Sequence, residues 1–146
     1  MHTHTLQDFQ VNVRIKLAAL WTAVMFCYVY GDFFSLFVPG RIKHLMEGQS
    51  GVGTTTPISL LCFSLLMTVP SLMIFLSLIL KPQISRWANL LFGVFFTLIM
   101  TLILITTNDT WMIFYSYLAV VEIVLTGTIV WYAWTWPRQQ TQDNPL

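Results

Sequence analysis

The run KLAALWTAVMFCYVYGDFFSLF, Lys16 to Phe37, decides how this chain folds. It is apolar over roughly the twenty residues that a helix needs to cross a bilayer. Within it, Tyr28-Val29-Tyr30-Gly31-Asp32 places a carboxylate where hydrocarbon is expected. Three further apolar runs follow: Pro57 to Leu80, Trp87 to Ile105 and Trp111 to Trp134. The last of them carries a second carboxylate, Glu122. Four such runs joined by short polar segments predict an all-α membrane four-helix bundle with up-down-up-down order. Residues 1–13 then form a polar lead, 14–136 the membrane domain and 137–146 a polar tail.

Composition agrees. The chain of 146 residues is 56% hydrophobic and 9% charged, whereas soluble domains carry about a quarter charged residues. Too little polar surface remains to wrap a water-soluble core, so the expected partner is the lipid bilayer. The net charge of +1, without a basic stripe, argues against nucleic acid as a partner. Cys27 and Cys62 both fall inside spans and read as small packing residues. The first run has no small-residue cleavage site and reads as a retained span. His2 and His4 form an H-x-H pair with no third ligand beside it, so no metal and no cofactor is expected. No nucleophile-base-orienter set and no phosphate-cradling glycine loop appears, and catalysis is not expected.

The connections are uneven. Pro39-Gly40 stops the first span, and Arg41 to Glu47 has helical spacing suited to one or two turns in the interface, ending at Gly48. Gly51, Gly53 and Thr54-Thr55-Thr56 read as flexible linker. Thr56 before Pro57 reads as an N-cap, and Pro70 as a kink whose freed carbonyl could take a hydroxyl from Ser64 or Ser71. Lys81 to Arg86 forms a short second loop, and Asn108 or Asp109 caps the fourth span. Trp131, Tyr132, Trp134 and Trp136 form one aromatic belt, and Trp111, Tyr115 and Tyr117 the other. Arg14, Lys16, Lys81, Arg86 and Arg138 share one side against Arg41 and Lys43 on the other, which places both termini in the cytoplasm.

At 100° per residue, Ala18, Trp21, Met25, Tyr28 and Ser35 share the face of Asp32. Trp111, Tyr115, Leu118, Ala119, Thr126 and Ala133 share that of Glu122. Ser64, Thr68 and Ser71 make a stripe on the second span; Asn89, Gly93, Phe96 and Met100 make one on the third. Both acids lie about sixteen residues, or roughly 24 Å, from the inner anchors. First and last helices are neighbours in such a bundle, so the acids are expected to face one cavity in its outer half. No Lys or Arg lies within a span to neutralise them. Two carboxylates in low dielectric cannot both stay ionised cheaply, so at least one should hold a proton, or both should meet water or a bound cation. The candidate ligand- or proton-binding residues are therefore Asp32, Glu122, Tyr28, Tyr115, Ser64, Thr68, Ser71 and Asn89. For Asn89 a helix–helix hydrogen bond is the favoured reading.

Trp21…Tyr28-x-Tyr30-x-Asp32, then Pro39-Gly40, Pro70 and Arg86-Trp87-Ala88-Asn89, resemble a family of small bacterial four-span membrane proteins of unknown function. They are also loosely similar to the DoxX-type four-helix membrane proteins. The resemblance implies a four-helix integral membrane protein of the bacterial inner membrane and carries over no catalytic residue. Small multidrug exporters are shorter and keep a glutamate in the first span, where this chain has Asp32. The membrane eicosanoid and glutathione enzymes use an interior Arg, which no span has here. Two functions are open on this reading. One is a protein that binds or transports a proton, a cation or a small molecule at an Asp32/Glu122 cavity. The other is a structural or accessory subunit of a membrane complex. A homodimer is compatible with either.

Overall fold

The computed structural model describes residues 10–50, 53–107 and 109–137. The His2/His4 pair, Gly51, Asn108, Arg138 and the polar tail lie outside the described residues. Four long helices make the bundle: α1 (Val13–Ser35), α3 (Pro57–Ile79), α4 (Pro82–Thr106) and α5 (Ile113–Trp134). A short helix, α2 (Arg41–Met46), and a two-stranded hairpin of β1 (Gln49–Ser50) and β2 (Gly53–Thr54) lie between α1 and α3. All four long helices, the last counted with the 3-10 turn Thr110–Met112 before it, are long and apolar enough to cross a membrane. This is the pattern of a multi-pass membrane protein.

Helix ends follow local chemistry. Asn12 caps α1 by accepting from the Arg14 amide at 3.0 Å. Thr56 and Ser59 form a reciprocal capping box at the start of α3, with Pro57 at the first helical position. Asp109 accepts from the Trp111 amide at 3.0 Å and starts the turn that leads into α5. The expected loop from Lys81 to Arg86 is instead mostly helix. Pro82 presets the backbone dihedral for a first helical turn, so α4 begins there.

The helices pack in a ring, α1 against α3 and α5, and α4 against α3 and α5. Antiparallel order is fixed by bonds between opposite ends. Arg14 donates to the Leu78 carbonyl at 3.0 Å, joining the start of α1 to the end of α3. Arg86 donates through Nε to the Ala133 carbonyl at 3.1 Å, joining the start of α4 to the end of α5. The core contains Leu17, Trp21, Val24, Tyr28, Met73, Phe96, Met100 and Ile129. At the α4–α5 seam, Gly93 admits Val130 so closely that an added Cβ would stand 2.8 Å from Val130 Cγ2. Beside it, the Thr97 hydroxyl bonds that of Thr126 at 2.8 Å. Small residues let these two helices approach, as membrane bundles require.

The segment expected as flexible linker has defined structure on both sides of residues 51–52. Gly40, at φ +79°, turns the chain into α2, and Gly48, at φ +74°, turns it out again. Ser50 donates to the Gly53 carbonyl at 2.8 Å, and the Thr55 amide to that of Gly48 at 2.7 Å. These bonds close the hairpin and hold α2 at one end of the bundle.

Candidate functional site

At the α2 end, the helices enclose a cavity of about 350 Å³. Its polar groups come from Tyr28 and Asp32 on α1, Arg41 on α2, Ser50 on β1, and Tyr115 and Glu122 on α5. Apolar walls come from all four long helices, among them Phe63, Met67, Phe96, Ile99 and Leu118. Gly31 also lines the cavity and packs close to Tyr115 and Leu118.

Each polar group reaches the cavity for a local reason. Tyr28 lies one turn below Asp32 on α1 and packs its ring 6.1 Å from Phe96. Asp32 stands at the mouth and is exposed. Glu122 lies deep, on the buried face of α5 with Ala119 and Thr126, and is 4% exposed. Arg41 arrives from outside the spans, carried back over the bundle by the turn at Gly40.

These groups leave one another unpaired. The Tyr28 hydroxyl and the Arg41 Nε are both buried with no hydrogen-bond partner among the described residues. Among the described residues, the one ion pair within 4.0 Å is His44 with Glu47, outside this cavity. Arg41, Asp32, Tyr115 and Glu122 nonetheless line the same space. Donors and acceptors thus converge on one space without satisfying each other. Buried polar groups normally find partners, so the Tyr28 hydroxyl and the Arg41 Nε stand out in this cavity.

The sequence-derived residues separate into two groups. Asp32, Glu122, Tyr28 and Tyr115 are brought together; Tyr115 lines the cavity and is not part of an outer belt. Ser64, Thr68 and Ser71 are not. All three are exposed, because α3 buries the face of Pro70, Met73 and Ser77 instead. Their hydroxyls donate to the carbonyls of Leu60, Ser64 and Met67 on their own helix, at 2.8, 2.8 and 2.9 Å. None of them supplies the hydroxyl expected at the carbonyl freed by Pro70. Ser71 also reaches Met25 Sδ at 3.5 Å.

Asn89 sits at the opposite end, fully buried. It accepts from Trp21 Nε1 at 2.8 Å and from the Ser77 hydroxyl at 3.2 Å, and donates to the Ser85 carbonyl at 2.8 Å. This knot ties α1, α3 and α4 together and is saturated, so it has no valence left for a ligand. Arg41 and Ser50 are polar cavity residues that span-by-span reading missed, and Arg41 had a signal in the chain. Its signal was Pro39-Gly40, which turns the next cation back toward the acids.

A family of unknown function, DUF6326, matches residues 5–143. The chain belongs to that family. Comparison with curated proteins and with solved structures finds no match. For this DUF6326 chain the geometry of the cavity therefore carries the functional argument.

Proposed function

We propose that this DUF6326 protein binds a proton, a cation or a small molecule inside the membrane, between Asp32 and Glu122, and acts as a transporter or a binding subunit. The observation that carries this reading is that the two acids, far apart in sequence, line one cavity together with the unpaired Tyr28 hydroxyl and Arg41 Nε. Intramembrane acids are functional by default. Tyr115 completes the proposed site. Arg14 and Arg86 bond carbonyls at the end opposite α2, near Lys16 and Lys81. This clustering supports a cytoplasmic face there, both termini inside, and the cavity toward the outer side. The bacterial cytoplasmic membrane and a distant DoxX-type kinship belong to the same reading, on the motifs around Asp32 and Arg86.

Cys27 lines the cavity and Cys62 is exposed on the bundle surface, which supplies a native reporter. In a Cys62→Ala background, a small water-soluble methanethiosulfonate should modify Cys27 in intact membranes. A cationic reagent should react faster than an anionic one at a pH where both acids are ionised, because two carboxylates then face one guanidinium. A Cys27 inert to both reagents in the folded protein would refute an accessible cavity and leave the accessory-subunit reading in its place.

A further inference from the structure

Charge accounting in the cavity separates the two acids. Arg41 and Asp32 line the cavity together and carry opposite charges, without a contact within 4.0 Å between them. Glu122 has no cation of its own among the described residues and is 4% exposed. The cavity it shares is lined by the rings of Tyr28, Phe63, Phe96 and Tyr115 and by aliphatic side chains such as Leu66 and Ile99. A hard metal ion asks for six or more oxygens. Beyond the two carboxylates, the walls near Glu122 offer mainly the phenols of Tyr28 and Tyr115. No group of three or more His, Cys, Asp or Glu residues is poised for a metal among the described residues. A buried carboxylate without a cation of its own, in a cavity lined by aromatic and aliphatic side chains, is suited instead to an organic cation, whose charge meets the acid while its carbon body meets the apolar wall. At about 350 Å³ the space is at the lower end of the range for small-molecule sites.

We infer that the cavity takes a small lipophilic organic ammonium, with Glu122 releasing its proton to solvent to become the anionic anchor as the cation enters, and with Asp32 and Arg41 as a charge-balanced gate at the mouth. This rests on the cavity reading above and narrows it to one ligand class. Asp32 then has an indirect role. It shields the incoming cation from Arg41 and does not itself hold the ligand.

The test uses full-length protein in phosphatidylcholine nanodiscs and calorimetry, with empty nanodiscs subtracted. The probes are benzyltrimethylammonium and its uncharged carbon isostere, neopentylbenzene, which share one shape. The ammonium should bind roughly tenfold or more tighter than the isostere. Glu122→Gln should abolish that preference. Asp32→Asn should weaken ammonium binding, since Arg41 is then uncompensated, and adding Arg41→Gln should restore it. Equal binding of both probes by the unaltered protein would overturn the ammonium assignment while leaving a ligand cavity. Binding of neither would overturn both. A loss in Asp32→Asn that Arg41→Gln does not rescue would overturn the gate and make Asp32 a direct ligand.

Discussion

Replacing Asn89 by Ala should weaken the bundle more than any change at the cavity. The substitution removes two bonds that reach Asn89 from other helices, from Trp21 at 2.8 Å and from Ser77 at 3.2 Å. Cross-helix bonds in membranes average about 0.6 kcal/mol each. More is lost at the stranded indole N–H of Trp21, which is fully buried; an unsatisfied buried donor costs about 1–3 kcal/mol. Ser77 can turn its hydroxyl to its own helix and adds little. The expected loss is about 2–3 kcal/mol, read as a shift in the SDS unfolding midpoint in mixed micelles by circular dichroism. Trp21→Phe removes the donor itself. The pair Trp21→Phe and Asn89→Ala should therefore lose about 1 kcal/mol less than the two singles added together. A single-variant loss below about 0.5 kcal/mol, or a strictly additive cycle, would refute the knot as a source of stability.

Three other outcomes follow from the packing and one from a helix cap. Gly93→Ala should destabilise by about 1 kcal/mol net, because overpacking against Val130 outweighs the gain in helix propensity. Gly127→Ala, where a Cβ meets nothing within 4 Å, should be neutral or stabilising in the same unfolding assay. Arg86→Lys should lose part of the clamp on the Ala133 and Trp134 carbonyls, since an ammonium lacks the fork that reaches both, at a cost of about 1 kcal/mol. Thr56→Ala should cost about 1 kcal/mol by opening the capping box of α3, with faster amide exchange confined to residues 58–60 as the check.

Much of this arrangement is legible in the chain because polar residues in an apolar run mark the buried face. On α4, Asn89, Gly93, Phe96 and Met100 are all buried, as their spacing predicts. On α1, the face drawn through Asp32 finds Ala18, Trp21, Tyr28 and Ser35, yet Gly31 is the residue buried at that level and Asp32 stands beside it at the mouth. A 100° step locates a stripe and not its edge. The stripe on α3 misleads for a different reason. Ser and Thr hydroxyls can be satisfied by the carbonyl one turn back, so in a membrane they need not face protein at all. Arg41 is hidden for a third reason. Periodicity describes helices, and the return of a loop over a bundle end depends on the left-handed turn at Gly40 rather than on any repeat.

The cavity draws on α1 near the start of the chain and on α5 near its end. During biosynthesis the first span enters the bilayer with Tyr28 and Asp32, and Arg41 follows within the next loop. Glu122 emerges only after two more spans have been threaded. Until then the walls are incomplete and the half-built pocket is open to lipid along the side that α5 will cover. The last helix to be inserted is thus the one that closes the compartment. Nascent chains stalled before α5 should display that unfinished polar flank to the quality-control machinery of the membrane.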